Sequence, residues 1–368
     1  MIFVKSFCRL FLFLAAFTGS AAMALETVTL LDRGEPYDAM LADNGLMWIG
    51  HSRLQFNSNY RLEVYQPDGA LIDRVTLSHS LSVIKSMNNG SIIVTGVSPT
   101  SRQAQYTVAH LEGGKIRTST NEIAMGALIT FWITSMDGRQ YFADIGGNPD
   151  DNSDPGAQLP AQTIFSSTGS NYNYLGARVS MPVAGTSFNG KLLLVSSQGI
   201  GQFGSSLVEV DPRTSALRVI TQSADAKYRG IDIIAGTSNL VTSALGERKL
   251  RVIDTITGKT QREFQTKGYP RTFDLTGHCI VVGNDETNVV EVFDLKSETD
   301  KPSFAAEVAM PASEFSGIKN IAVDDVTGMV FARASYPCNP LMESCDQDYN
   351  RVVKFDAAFA ERIKATCN

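Results

Sequence analysis

The 368-residue sequence predicts an all-β fold, and two observations lead to this prediction. Short runs that alternate polar and apolar residues recur along the chain, which is the pattern of strands with one buried face. Dipeptides typical of tight hairpin turns precede most of the apolar runs, and no long amphipathic helical segment interrupts the series. These turn dipeptides are Asn44-Gly45, Asn89-Gly90, Asp137-Gly138, Asn189-Gly190 and Thr327-Gly328.

The strands group into repeated units of four. Seven such units fall near residues 35–77, 78–123, 124–180, 181–222, 223–266, 267–310 and 311–368. A four-stranded sheet of this length has two apolar faces that it cannot bury alone, so a radial arrangement in which neighbouring sheets cover one another is favoured. We therefore predict that residues 25–368 form a single seven-bladed β-propeller of four-stranded antiparallel blades. Two stacked sandwich domains are the alternative, but they do not explain the repeated period.

The start of this region carries one further strand pattern. Residues Glu26–Leu31 match the outer strand that precedes each later unit, so we predict that this N-terminal strand pairs with the seventh blade and closes the ring. The segment Arg362–Thr366 is a second candidate for the same outer position.

Three segments carry a family resemblance. The strands Ile93–Gly96 and Val281–Asn284 and the segment Val252–Gly258 resemble the YVTN-type repeats of secreted bacterial seven-bladed β-propellers. That superfamily also contains lactonase-like and amine-dehydrogenase-like proteins. The resemblance implies the propeller fold, but its motifs specify strands and turns, so it implies no catalytic residue.

The first 24 residues have the order of a secretory signal peptide. Lys5 and Arg9 form a basic start, Leu10–Phe17 is a short apolar run, and Ala22-Met23-Ala24 is a small-residue cleavage site. The apolar run is too short to span a bilayer, although an uncleaved anchor is the alternative. We expect a periplasmic or secreted protein that does not span the membrane.

Charge and cysteine content narrow the choice of partner and compartment. With 32 Lys and Arg against 38 Asp and Glu, the net charge of −6 argues against a nucleic-acid partner.

Four cysteines follow the signal segment, namely Cys279, Cys338, Cys345 and Cys367. An even number in an oxidising compartment favours disulfides, with three pairings open. Cys338 and Cys345 are nearest in sequence and form our first candidate bridge.

Polar residues at the starts of the innermost strands form the first candidate binding site. They are Tyr37, Asp38, Tyr228, Arg229, Asp232, Tyr269, Arg271 and Lys319. Three cations beside tyrosines around one channel mouth suit a carboxylate, a phosphate or a sugar acid. The alternative is that these cations pair with neighbouring carboxylates and only stabilise the mouth.

An acidic loop in the third unit is the candidate metal site. Asp150, Asn152 and Asp154 alternate as the first three oxygen ligands of a calcium loop do, so calcium is the one cofactor that the sequence suggests. Pro155 stands where such a loop needs glycine, and the distal glutamate is missing. A solvated acidic loop is therefore the alternative.

The sequence favours binding over catalysis, because it lacks the common catalytic motifs and its long connections all fall on one face of the predicted propeller. These connections lie near residues 51–60, 97–105, 146–161, 197–206 and 335–350. We expect a monomeric scaffold that binds an envelope protein or a glycan. One alternative is a lactonase or lyase that uses Asp38, Asp232 and the Asp150–Asp154 loop. Another alternative is an accessory subunit of a periplasmic redox enzyme.

Overall fold

The computed structural model describes most of the chain after residue 26. The described residues are 27–33, 37–51, 60–81, 83–87, 89–101, 104–122, 133–143, 162–168, 171–179, 182–197, 205–308, 317–335 and 350–368. The predicted signal peptide and most of the long connections lie outside these ranges. Among the described residues, no helix is both long enough and apolar enough to span a membrane.

The described residues form seven four-stranded antiparallel sheets, which we number I to VII. The first described strand, β1 (Thr27–Arg33), belongs to sheet VII. Sheet I contains β2 (Tyr37–Asp43), β3 (Leu46–His51), β4 (Arg61–Tyr65) and β5 (Leu71–Thr76). Sheet II contains β6 (Val83–Ser86), β7 (Ile92–Val97), β8 (Ala104–Glu112) and β9 (Lys115–Glu122). Sheet III contains β10 (Ile133–Met136), β11 (Arg139–Ala143), β12 (Gln162–Thr168) and β13 (Asn171–Val179).

The other four sheets continue the same order along the chain. Sheet IV contains β14 (Pro182–Phe188), β15 (Lys191–Ser197), β16 (Ser205–Val210) and β17 (Leu217–Ser223). Sheet V contains β18 (Tyr228–Ile233), β19 (Asn239–Ala244), β20 (Lys249–Asp254) and β21 (Thr260–Gln265), with a 3-10 turn at Leu245–Glu247. Sheet VI contains β22 (Tyr269–Thr276), β23 (Cys279–Asp285), β24 (Val289–Asp294) and β25 (Phe304–Glu307). Sheet VII contains β26 (Ile318–Val323), β27 (Val330–Ser335), β28 (Asn350–Phe355) and β1.

The turn chemistry explains why the first two strands reverse so tightly in sheets I, III and IV. Asn44-Gly45, Asp137-Gly138 and Asn189-Gly190 have positive φ at both residues, as a type I′ hairpin turn requires. The prediction of an all-β protein built from four-stranded antiparallel sheets is therefore confirmed.

The two ends of the chain meet in sheet VII. Strand β1 pairs antiparallel with β28 from Thr27 opposite Phe355 to Arg33 opposite Asn350. The second candidate for this outer position was wrong, because Arg362–Thr366 belongs to helix α1 (Ala357–Cys367). The Asp356 side chain caps this helix by accepting a hydrogen bond from the backbone N–H of Phe359 at 2.7 Å. Phe359, Ala360, Ile363 and Cys367 form its buried face.

Hydrophobic clusters lie between consecutive sheets, and they contain most of the buried hydrophobic residues. Trp48 of sheet I packs with Ile84 and Ile92 of sheet II. Phe264 of sheet V shares a cluster with Ile280 and Phe293 of sheet VI. One cluster joins the last sheet to the first, since Met47 and Ile49 of β3 pack with Ala322 of β26 and Phe331 of β27. Each sheet therefore depends on its neighbours for burial.

Buried polar residues on several third strands fix the connection that leads into the first strand of the same sheet. Thr107 on β8 contacts His79 Nε2 at 2.7 Å, and His79 lies between β5 and β6. Glu291 on β24 accepts hydrogen bonds from the backbone N–H of Lys267 and from Asn284 Nδ2, each at 2.9 Å. These bonds hold the starts of β6 and β22 in place.

Glu63 on β4 has the corresponding buried position in sheet I. His51 Nε2 lies 2.8 Å from Glu63 Oε2, Arg61 Nε donates to Glu63 Oε1 at 2.9 Å, and the Tyr65 hydroxyl also donates to this carboxylate. Burial opposes the charged form, but the bonds from His51 and Tyr65 and the positive charge of Arg61 outweigh it and lower the pKa of Glu63 to about 2.

We predict that Glu63→Gln lowers the free energy of unfolding at pH 7 by about 3 kcal/mol, because it removes a buried charge around which three partners are arranged. The stabilisation from the lowered pKa is present above the ordinary value of 4.5 and is lost as the pH falls towards 2, so wild type and variant should converge in acid. Urea unfolding at several pH values measures this difference. Glu112→Gln, which breaks the exposed Arg117–Glu112 pair, is the matched control and should cost less than about 1 kcal/mol. Equal losses for both variants would contradict the interpretation.

A disulfide joins the C-terminal helix to sheet VI. Cys279 at the start of β23 is bonded to Cys367 at the end of α1, with 5.2 Å between the two Cα atoms. The backbone N–H of His278 also donates to the Cys367 carbonyl at 2.9 Å. Cys338 and Cys345 lie outside the described residues, so their bridge stays a prediction.

We predict that Cys279→Ser combined with Cys367→Ser lowers the free energy of unfolding by about 4 kcal/mol. The bridge spans 88 residues, and closing a chain loop of that length removes much of the entropy of the unfolded state. Urea unfolding of wild type and double variant, both in a metal chelator, measures the loss. An unchanged midpoint and slope would show that the bridge does not constrain the unfolded chain.

Candidate functional site

The first strands of six sheets surround a central cavity of about 620 Å³. Its walls come from β2, β6, β14, β18, β22 and β26 and from the turns that follow β2 and β26. Because these strands run along the cavity, residues early in a strand lie towards one end and residues late in a strand lie towards the other. The starts of the strands are on the same side as the connections between second and third strands, which are the long connections of the sequence.

Five first strands carry a register shift close to their starts, in β2, β14, β18, β22 and β26. Such bulges insert an extra residue and change the direction of a side chain, and they are common next to functional sites. The residues at the shifts are Asp38, Val183, Arg229, Arg271 and Lys319. Four of these residues, Asp38, Arg229, Arg271 and Lys319, were predicted as site residues from the sequence. They therefore occupy equivalent positions in the first strands of four sheets. A bulge leaves no clear pattern in a single sequence, so this equivalence could not be predicted.

A second cavity, of about 440 Å³, opens at this end of the strands, and we call it the basic pocket. It is lined by Lys227, Arg229, Leu245, Gly246, Tyr269, Arg271 and Asp285. Arg229, Tyr269 and Arg271 were predicted as site residues, and the structure brings them together. Lys227 and Asp285 were missed, because they lie just before β18 and at the end of β23, outside the strand starts that suggested the site.

Two of the predicted cations have an acidic partner. Arg271 Nη1 lies 3.1 Å from Asp285 Oδ2, and Lys319 Nζ contacts the other carboxylate oxygen. The positions of Arg271 and Lys319 are therefore explained by their ion pairs with Asp285.

Arg229 differs from these cations because it has no hydrogen bond or ion pair with any residue that the structure describes. Arg229 is an exposed residue, yet partial burial of its charged group and the positive charge of Arg271 lower its pKa. The guanidinium nevertheless stays charged at neutral pH. Two arginine side chains that repel each other in one pocket provide a place where an anion is stabilised.

The two predicted tyrosines of this region have different roles. Tyr269 lines the basic pocket, and the Arg248 guanidinium lies over its ring at 4.8 Å from the centroid. Tyr228 is buried, and its hydroxyl accepts a hydrogen bond from Arg251 Nη1 at 2.9 Å. Tyr228 therefore supports sheet V and does not line the pocket.

Carboxylates collect at the other end of the central cavity. Asp43, Asp232, Asp274 and Asp325 all line it. Burial, reinforced by the charges of Asp232 and Asp325, raises the pKa of Asp274 to about 7, although the backbone N–H groups of Val323 and Leu275 donate to its carboxylate. Burial also raises the pKa of Asp325. The predicted residue Asp232 thus belongs to an acidic group, away from the basic pocket.

The remaining predicted site residues have no described side-chain position. Asp150, Asn152 and Asp154 lie outside the described residues, so calcium binding there stays a prediction. Tyr37 and Asp38 are placed in β2 by their backbone, and their side chains lie outside the described part.

Comparisons with known proteins identify the fold and no family. No protein-family model matches the sequence, and no curated protein matches it. Among solved structures, Raptor from Chaetomium thermophilum is similar over 90% of this chain, with a TM-score of 0.59 and 12% identity, and this chain covers 29% of the Raptor chain. Sqt1 from Saccharomyces cerevisiae is similar over 85% of each chain, with a TM-score of 0.51 and 10% identity. Both are β-propeller folds, so this chain has a propeller-like fold.

We predict that Asp274→Asn flattens the pH dependence of stability between pH 4 and pH 7, the interval from the ordinary pKa of 3.8 to the raised one of about 7. A raised carboxyl pKa means that the folded state binds more protons than the unfolded state in this interval. The free energy of unfolding of the wild type should therefore fall as the pH rises, by up to about 4 kcal/mol. Urea unfolding at stepped pH measures the slope. Parallel curves for wild type and variant would contradict the assignment to Asp274.

Proposed function

We propose that this protein is an exported binding scaffold that holds an anionic group of its partner in the basic pocket. The observation that carries the proposal is Arg229, a charged side chain next to Arg271 with no acidic partner among the described residues. Its neighbour Arg271, by contrast, pairs with the carboxylate of Asp285. A guanidinium in a concave pocket that has no acidic partner in the described part of the chain favours an external anion.

A carboxylate fits this pocket best among the anions considered from the sequence. Two guanidinium groups offer planar pairs of N–H donors, which match the two oxygens of a carboxylate. Lys227 adds positive charge at the rim, and Tyr269 adds an apolar face with a polar tip. Acidic protein segments and acidic glycans both present such carboxylates, so an envelope protein or glycan remains the proposed partner.

The proposal includes a closed seven-bladed propeller whose ring is completed by the N-terminal strand, as in the YVTN-type repeats that the sequence resembles. Two observations support it. Strand β1 pairs with β28 in sheet VII, and a hydrophobic cluster joins sheet VII to sheet I. A closed ring holds the starts of the first strands at fixed separations, so the pocket exists before the partner binds.

Export to the periplasm or beyond is part of the same proposal. It is supported by the signal-peptide pattern of residues 1–24 and by the Cys279–Cys367 disulfide, since such bridges persist mainly in oxidising compartments.

A lactonase-like or lyase-like enzyme is the second candidate, and Asp274 is the observation that favours it. A carboxyl group with a pKa near 7 can exchange a proton at neutral pH, as a general acid or base must. Asp274 lines the central cavity together with Asp232. A lactone-hydrolysis screen in which turnover is lost in Asp274→Asn and kept in Arg229→Ala would favour the enzyme over the scaffold.

The binding proposal is tested with the double variant Arg229→Ala and Arg271→Ala. A glutamate-rich peptide labelled with a fluorophore serves as the carboxylate probe, and its anisotropy is titrated at low and at physiological salt. We expect the wild type to bind it and the double variant to bind at least about 100-fold more weakly, because two charge-assisted hydrogen bonds are lost. Arg229→Lys should recover only part of this affinity, since lysine keeps the charge and loses the planar pair of donors.

The matched control is Arg117→Ala, which removes an exposed arginine that pairs with Glu112 on the outer strands of sheet II. The control should bind as the wild type does. Equal affinity of wild type and double variant for the peptide would refute the assignment of the site to the basic pocket.

A further inference from the structure

The disulfide at the C-terminus lies among other side chains that can ligate a metal. His278, Cys279 and Asp294 offer one ligand atom each, and these atoms all lie within 4.8 Å of one another. It is the one group of at least three His, Cys, Asp or Glu side chains with this property in the described part of the chain. The candidate metal residues predicted from the sequence were elsewhere, so this group is a new observation.

The backbone explains why these residues meet. Cys279 and Asp294 are directly opposite each other in the β23–β24 ladder, so their side chains emerge on the same face of sheet VI. His278 precedes Cys279 in the turn that leads into β23, and its Nε2 atom lies 3.4 Å from Asp294 Oδ1.

Cys367 brings a fourth ligand to the same point, because it is bonded to Cys279 and its carbonyl accepts the His278 backbone N–H. Both cysteines are fully buried, whereas the His278 and Asp294 side chains are 17% and 20% exposed. The group therefore combines two sulfurs shielded from water with an imidazole and a carboxylate at the surface, which gives an ion a path of access.

We propose that the reduced form of this protein binds one zinc ion through Cys279, Cys367, His278 and Asp294. A dithiol reductant transfers two electrons and two protons to the disulfide, so the S–S bond breaks, two thiols form, and the reductant becomes a disulfide. Zinc then binds the two sulfurs as thiolates, and two protons are released to water.

The set of donors matches zinc in kind and in number. Two thiolates, one imidazole and one carboxylate are all common zinc ligands and complete a tetrahedral shell. Neighbouring donors around a tetrahedral zinc lie about 3–4 Å apart, given bonds of about 2.0–2.3 Å, so small rotamer changes suffice. In the oxidised protein the sulfurs are bonded to each other and the site does not exist.

The disulfide and the zinc ion would be two alternative links between the same parts of the fold. Either one joins α1, which follows the last strand of sheet VII, to the β22–β23 turn of sheet VI.

Cobalt(II) is the probe, because thiolate coordination gives it an intense near-ultraviolet charge-transfer band that coordination by nitrogen and oxygen alone does not. The experiment uses the full chain with Cys8→Ser, Cys338→Ser and Cys345→Ser, which leaves Cys279 and Cys367 as its cysteines. After reduction, we expect the band to saturate at one equivalent of cobalt and to disappear when zinc displaces it. The same chain with its disulfide intact should give no band.

Variants test the two surface ligands. His278→Ala and Asp294→Ala should each weaken cobalt binding at least about tenfold, and the loss of a ligand should shift the visible bands of tetrahedral cobalt. His110→Ala, an exposed histidine on β8, is the matched control and should bind as the parent does. Circular dichroism of each reduced chain checks that the sheets remain folded.

Two results would overturn the proposal. One is a reduced, folded chain that gives no thiolate band with excess cobalt. The other is full affinity in both His278→Ala and Asp294→Ala, which would show that the two thiols bind the ion without these neighbours.

Discussion

The whole structure depends on mutual burial, because each four-stranded sheet has apolar faces that only the adjacent sheets cover. The clusters between consecutive sheets, such as Trp48 with Ile84 and Ile92, meet this requirement along the chain. Between the last sheet and the first, the apolar faces are buried by the cluster that contains Met47 and Phe331. Sheet VII itself is completed by the pairing of β1 with β28. Sheet VII is thus built from both termini, and the disulfide of α1 to sheet VI adds a covalent link at the same place.

The first strands of the sheets carry positive and negative residues at opposite ends. Charged residues at the bulges, such as Arg229 and Arg271, lie at the starts of the strands, and carboxylates such as Asp274 lie further along. The buried polar contacts of His79 and of Glu291 fix the connections just before the first strands. The geometry of the basic pocket is therefore set by strand register and, before β22, by the buried bond to Glu291. The function proposed for the pocket follows from Arg229, which has no acidic partner among the described residues.

Sequence reasoning was most successful where local chemistry decides the structure. Alternation of polar and apolar residues and dipeptides such as Asn189-Gly190 were sufficient to predict the four-stranded sheets. It was wrong at Arg362–Thr366, where a helix cap at Asp356 and a buried helical face outweigh a short apparent strand pattern. It predicted Arg229 and Arg271 as neighbours but missed Asp285, because contacts between sheets depend on bulges and register that no local pattern encodes.

Hydrogen exchange of the backbone amides of β1 tests the account most directly, because this strand is the point at which the two ends of the fold are joined. If β1 pairs with β28 in solution, the alternate amides of Thr27–Arg33 that are directed at β28 should be protected to a similar degree as those of Val352 and Val353. Exchange of the β1 amides at the rate of an unfolded peptide, with β28 still protected, would contradict the account.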